Sequence, residues 1–339
     1  MKIAISGLNA TDNPAPGLGV AKSLKEDELV GFSYDVNEPA NYLDTFNKKY
    51  LMPFPTLGIE ELENRLIEIE KKEGKIDLII PCLDAELPLY IKYQDRLQSL
   101  GIKTFLPTLE SFELRNKNKL AKLSDELGLN YPKTFEISSI KEITDLLRDE
   151  KLNFPFMVKG NYYKAYKATN LEEAIEHFYT ISNEWGFPIL LQEMVSGEEI
   201  NLVGLGDGEG NLAGAVSIKK LTTTSLGKIW SGITIQNEKL MQTAKKFVEA
   251  TKWKGPFELE CMSDGTEVHM IEINPRFPAW VYFATEVGVN LPRMLVDLAN
   301  DKEVKQNLDF PIGKMYVRFT DEVVVDFSEF TKLMTTKEL

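Results

Sequence analysis

Short apolar runs alternate with amphipathic stretches over the first hundred residues. KIAIS (residues 2–6) is apolar at successive positions, the mark of a strand buried on both faces, and a glycine- and proline-rich loop, GLNATDNPAPGLG, follows it. The pattern predicts a helix over 20–25, strands over 29–34 and 78–81, and helices over 59–72 and 86–99. Strands alternating with helices imply a parallel, doubly wound sheet, which closes near IKTFLPT (102–108).

From Ser111 the pattern changes. A charged helix, ELRNKNKLAKLSDELG, ends at Gly128, a residue suited to the left-handed turn that closes a helix. A strand near 132–137, a helix over 140–148, the strand FPFMVKG and a helix over 171–184 come next. ILLQEMV (189–195) then leads into antiparallel signals: INLVGLGD, the turn DGEGN and LAGAVSIKK, and later GPFELECM and VHMIEINPR joined by SDGTE, which read as a hairpin. The expected class is α/β plus α+β.

At 339 residues the chain exceeds one ordinary core, so two or three domains are expected. The formal net charge of −13 repels a phosphate backbone and argues against nucleic-acid binding, though not against one local cationic pocket. Cys82 and Cys261 sit in apolar runs and read as buried thiols, and with His177 and His269 as the two histidines, zinc chemistry and a serine triad are poorly supplied. MKIAISG enters a strand without a basic, then apolar, leader, and no apolar stretch is long enough for a bilayer. No membrane association and a cytoplasmic location are expected.

The strongest chemical signal is the hairpin. Glu260 and Glu272 lie 12 residues apart across it, and Asn274 follows Glu272 by two positions, so Glu272 and Asn274 share a strand face. Two carboxylates and an amide oxygen suit Mg²⁺ that also holds substrate phosphates. A solvated acidic face would explain scattered carboxylates, but not Glu-Ile-Asn-Pro-Arg inside an apolar run, where buried charge must be paired or metal-bound. Glu258 competes as a ligand from the same face, and the hairpin register favours Glu260. Arg276 continues the alternation and can fork onto an anionic acyl group.

These motifs, in this order, resemble the ATP-grasp superfamily, in the branch of the carbamoyl-phosphate synthase large chain and biotin carboxylase. The resemblance covers nearly the whole chain. It implies a Rossmann-like N-terminal domain (1–108), a small lobe with its preceding helix (109–190) and a large lobe with the metal strands (191–339). It implies ATP and Mg²⁺, two ions with Mn²⁺ able to substitute, and places Lys117 and Lys159 on the phosphates. Glu193, Met194 and Val195 of LLQEMVSGEE fall at the adenine hinge and Glu199 at the ribose. Glu260, Glu272 and Asn274 are then metal ligands, with Arg276 and Lys220 near the reacting groups. Lys219 and Lys228 share that position with Lys220, and a solvated lysine face explains all three equally well.

The chain departs from the pattern in two places. The loop after Lys159, glycine-rich in the family, reads GNYYKAYKATN, with Tyr162, Tyr163 and Tyr166 at flexible positions and Lys164 and Lys167 adding charge. Asn116 stands where the family has Asp. In the N-terminal loop, Gly17 and Gly19 imitate part of a dinucleotide fingerprint whose third glycine is replaced by Lys22, a weak match. Asn9, Asp12 and residues 84–86 are candidate substrate contacts.

The expected activity is ATP-dependent joining of a small-molecule carboxylate to an amine through an acyl phosphate, with ADP released. Rival readings are a bicarbonate-activating carboxylase component and an ATP-binding regulator weakened by its altered loop. A homodimer is expected from the resemblance alone. Phe277, Trp280, Tyr282 and Phe283 read equally as a substrate wall or as core.

Overall fold

The computed structural model describes residues 1–160, 164–225 and 227–339, so Tyr162 and Tyr163 of the aromatic loop lie outside the described residues. The chain forms two compact units. The larger gathers Met1–Phe112, Asn201–Glu258 and Asn274–Leu339, the smaller Glu113–Ile200 and Leu259–Ile273.

In the larger unit, β1 (Lys2–Ser6), β2 (Glu28–Ser33), β3 (Lys48–Leu51) and β4 (Leu78–Ile80) pair in parallel, in the order β3-β2-β1-β4. The helices α1 (Gly17–Ser23), α2 (Ile59–Glu73), α3 (Leu87–Lys92) and α4 (Gln94–Ser99) accompany them. Ile3 and Ile5 pack with Val20 and Ala21 of α1, while Ala4 on the opposite face packs with Leu62, Leu66 and Ile69 of α2. Burial on both faces is why KIAIS shows no alternation. The expected single helix over 86–99 breaks at Tyr93. Leu97, beyond the break, is fully buried with Leu87, Tyr90 and Ile91.

Gly17 answers to packing. A β-carbon there would stand 2.1 Å from the Ser6 carbonyl oxygen, so only glycine lets α1 meet β1 this closely. The partial dinucleotide fingerprint is accounted for by this contact. Glu86 is fully buried beside it. Its Oε1 accepts from Ser6 Oγ and from the backbone N–H groups of Cys82 (2.8 Å) and Leu83 (2.9 Å), and its Oε2 accepts from Tyr34 Oη at 2.6 Å. The side chain thus fastens the ends of β1, β2 and β4.

The smaller unit begins at the end of α5 (Leu109–Glu113), and α6 (Lys117–Leu127) restarts after Asn116, closing on Gly128 at φ 60°. Then come β5 (Thr134–Ile137), α7 (Ile140–Arg148), β6 (Phe156–Gly160), β7 (Ala165–Ala168), α8 (Leu171–Trp185) and β8 (Ile189–Glu193). The sheet order is β5-β8-β6-β7, antiparallel throughout. α7 opens on a Ser139–Glu142 capping box, and Asn170 caps α8 through Glu173 N. Phe156, Val158, Ile189 and Leu191 pack with Ala174, Phe178 and Ile181 of α8. The opposite face is therefore left for polar groups.

The remaining elements are β9 (Glu198–Asp207), β10 (Leu212–Thr223), β11 (Ile229–Thr234), α9 (Glu238–Thr251), β12 (Lys254–Ser263), β13 (Val268–Asn274), α10 (Val281–Glu286), α11 (Leu291–Ala299), β14 (Met315–Val317) and α12 (Phe327–Thr336). Their strands pair in the order β13-β12-β9-β10-β11-β14. Phe277, Trp280 and Phe283 are core residues, packed with Val203, Val216 and Leu291. The backbone of Leu339 exchanges two 2.9 Å hydrogen bonds with Lys49, covering the edge of β3.

Replacing Glu86 with alanine removes the acceptor of two hydroxyls and two amides, of which the Cys82 N–H keeps a second acceptor in Ser6 Oγ. Glu86→Ala should lose about 3 kcal/mol of stability, read as a lower midpoint in urea unfolding. An unchanged midpoint would show that the carboxylate does not fasten these strands.

Candidate functional site

Strand register builds the centre of the smaller unit. Thr134 on β5 pairs with Gln192 on β8, and β8 meets β6 with Met157 opposite Gln192 and Lys159 opposite Leu190. Directly opposed residues share a face, so Thr134, Gln192 and Lys159 project together, away from the α8 core. Lys159 Nζ donates to Gln192 Oε1, and Gln192 Nε2 donates to Thr134 Oγ1 at 2.9 Å. Lys117 enters from the first turn of α6, and its Nζ donates to the Gly160 carbonyl at 3.3 Å.

Both lysines are buried, with Lys117 6% and Lys159 7% exposed. Burial pushes the Lys159 ammonium down to about 8, and the Lys117 charge pushes in the same direction. Glu272 and Glu260 oppose this. The two hairpin carboxylates thus act on the same ammonium, all four groups belonging to the smaller unit. Tyr131 borders the cluster. Its hydroxyl lies 3.4 Å from the Lys117 carbonyl, burial raises its phenol to about 12, and the Glu272 charge adds to that rise.

Glu193 ends β8 and is exposed, and residues 194–196 leave strand pairing before β9. Gly197 is required at that passage, because a β-carbon would stand 2.1 Å from the Ser263 carbonyl oxygen. Glu199 is exposed on β9. Lys164 is exposed and lies 3.8 Å from Glu184, and Tyr166 stacks on His177 with ring centres 4.8 Å apart.

In the larger unit, Arg276 is already engaged. Its Nε donates to Asp84 Oδ2 at 3.0 Å, its Nη1 to the Phe277 carbonyl at 3.2 Å, and its Nη2 lies 3.4 Å from Asn274 Oδ1. Lys220 is half-buried on β10, opposite Gly232 of β11. Cys82 and Cys261 are buried thiols whose pKa values burial raises, and they are unreactive at neutral pH.

The donor set fits a hard cation. Glu260 and Glu272, both in the smaller unit, supply carboxylate oxygens, and the buried ammonium groups beside them call for the anion such a cation accompanies. The structure brings Lys117, Glu260 and Glu272 within electrostatic reach of Lys159. Gln192, Thr134 and Tyr131 were missed by sequence reasoning, although strand alternation from Lys159 and Leu190 points to Gln192.

The antiparallel sheet with its lysine face and the hairpin of β12 and β13 define an ATP-grasp fold. Residues 187–321 match the family model described as ATP-grasp in the biosynthetic pathway with Ter operon, and the chain is homologous to carbamoyl phosphate synthase large chains. The large chain from Clostridium acetobutylicum is 26% identical over 279 residues, covering 78% of this chain and 25% of that one. The chain thus spans about a quarter of the length of the curated relatives it matches. An L-amino acid ligase from Bacillus licheniformis superposes with a TM-score of 0.64 at 18% identity, over 88% of this chain and 73% of that one. The biotin carboxylase domain dimer of 2-oxoglutarate carboxylase from Hydrogenobacter thermophilus, in complex with MgADP, ADP and bicarbonate, gives 0.69 at 15%, over 93% and 73%.

The depressed Lys159 makes a test that needs no ligand. Between about 8 and 10.5 the unfolded chain holds a proton that the folded chain has released, so stability rises with pH across that window. Lys159→Met should therefore raise stability by on the order of 2 kcal/mol below pH 8, a gain that shrinks towards pH 10.5. A gain independent of pH in thermal unfolding would contradict the assignment.

Proposed function

We propose that the protein is an ATP-dependent carboxylate–amine ligase that releases ADP and phosphate. One observation carries the reading: two ammonium groups buried together on one face, with Glu260 and Glu272 acting on Lys159. An anionic substrate relieves the repulsion between the lysines, and a triphosphate is long enough to meet both.

On this reading Lys117 and Lys159 grip the ATP phosphates, and Gln192 holds the Lys159 side chain in place. The backbone at Met194 and Val195, outside strand pairing, meets the adenine edge, with Glu193 beside it and Glu199 on the ribose. Glu260, Glu272 and Asn274 hold Mg²⁺, two ions in the full site, with Mn²⁺ an acceptable substitute. Held by these residues, such ions would supply neutralisation of the phosphate charge. Arg276 receives the substrate carboxylate by exchanging part of its contact with Asp84, and Lys220 stands near the transferred group.

The carboxylate oxygen attacks the γ-phosphorus and ADP leaves, giving an acyl phosphate. The amine nitrogen then attacks the acyl carbon, phosphate leaves, and the amine proton passes to solvent. No covalent enzyme intermediate is needed, so positioning and electrostatics carry the rate. The L-amino acid ligase neighbour supports amino acids as the substrate class, and the biotin carboxylase neighbours make a homodimer a reasonable assembly. ADP release with paired carboxylates and amines, read by product mass spectrometry with bicarbonate alone as a separate arm, tests the reading.

Two outcomes are expected. Glu272→Ala should lower ADP formation at least about a thousandfold with every substrate pair, and near-normal turnover would remove the metal assignment. The dissociation constant for MgATP should be flat below pH 7.5 and weaken by up to about tenfold per pH unit above pH 8, as Lys159 loses its proton. Lys159→Arg should flatten that slope, since guanidinium stays charged, and a slope unchanged by the substitution would assign it elsewhere.

A further inference from the structure

Gln192 is 2% exposed on β8, and its side-chain amide stands between Lys159 and Thr134. Its Oε1 accepts from Lys159 Nζ, and its Nε2 donates to Thr134 Oγ1 at 2.9 Å. Thr134 Oγ1 donates in turn to the Pro132 carbonyl at 2.8 Å. Pro132, Thr134, Lys159 and Gln192 all belong to the smaller unit.

The direction of this run of hydrogen bonds is fixed at both ends. The Pro132 carbonyl can only accept, and the Lys159 ammonium can only donate. A threonine hydroxyl carries one proton, so with that proton spent on Pro132 its oxygen is left to accept. A primary amide has one end that donates and one that accepts. Gln192 must therefore turn its NH₂ to Thr134 and its oxygen to Lys159. Tyr131 meets Thr134 and Gln192 at the same end, and its hydroxyl donates to the Lys117 carbonyl at 3.4 Å, so it too leaves the amide an oxygen to face.

We propose that Thr134 is a positioning residue: its hydroxyl, held by the Pro132 carbonyl, keeps the Gln192 amide turned so that oxygen, not nitrogen, fixes the Lys159 ammonium for an anionic ligand. The inference rests on the nucleotide reading of Lys159 proposed above. In Thr134→Val the strand keeps its shape, but the Gln192 NH₂ faces a methyl group and is a buried donor without its acceptor. The amide then turns to seek another acceptor, and its oxygen moves with it away from Lys159. A glutamate at 192 has two oxygens, so it offers one to Lys159 whatever stands at 134.

The dissociation constant of MgATP, measured by calorimetry at pH 7 with thermal unfolding as the check on folding, tests the relay. Thr134→Val should raise it about five- to tenfold, and Thr134→Ser should stay within about twofold of the native protein, since the hydroxyl is kept. Added to Gln192→Glu, the same valine should change the constant by less than about twofold, whatever the glutamate costs by itself. Thr134→Cys, whose sulfur is a weak acceptor, makes both comparisons if the valine variant does not fold. An unchanged constant in Thr134→Val, a serine as damaging as valine, or a loss of the same size beside Gln192→Glu overturns the relay while leaving the ligase reading intact. Failure of the native protein to bind MgATP overturns both.

Discussion

Two like charges held out of water in one small volume are an unfavourable arrangement, and the chain accepts it twice over. Lys117 sits in the first turn of a helix, where the backbone dipole already disfavours a cation, and Lys159 ends a strand whose other face is packed with aromatic and branched side chains. Burial disfavours both charges, and at Lys159 a methionine would fill the space with less cost. The rest of the cluster reads as a response to this constraint. Gln192 offers an oxygen to Lys159, the Gly160 carbonyl offers one to Lys117, and two carboxylates arrive on the hairpin. On the proposed reading, such a group is held ready for a polyanion, which would relieve the repulsion between the two ammonium groups.

Hydrogen bonds of fixed direction organise the larger unit as well. The buried Glu258 carboxylate accepts from the Trp280 indole Nε1 at 2.8 Å and from Asn201 Nδ2 at 2.9 Å. The indole N–H is unambiguous, because tryptophan has no second way to hydrogen-bond. Trp280 therefore does more than fill the core beside Phe277: it holds one buried carboxylate in place.

Much of this was legible from residue pattern. The parallel sheet followed from runs such as KIAIS, and the hairpin from its Ser-Asp-Gly-Thr turn. Edge strands were harder to see. KKYL (β3) and AYKA (β7) carry too little apolar content to stand out, and MYV (β14) is too short for a period. At the site, Lys159, Glu260 and Glu272 were visible because charge in apolar runs demands an account, whereas Lys117, in a charged helix, was singled out through the family resemblance alone. Glu258 looked only like a rival to Glu260, since its donors Asn201, Asn274 and Trp280 lie up to 57 residues away in sequence and meet it only in the fold. Gln192 was overlooked beside the more conspicuous Glu193, although the two point to opposite faces of β8.

The order of segments along the chain bears on how the protein emerges during synthesis. The smaller unit is closed by Leu259–Ile273, whereas the larger needs Asn274–Leu339 to complete its core and to cover the edge of β3. A ribosome therefore delivers every part of the smaller unit while the larger still lacks α10, α11 and its last strand. The sheet of β1–β4 precedes the other sheets along the chain, yet the core against it is completed by residues of α10 and α11, which follow them.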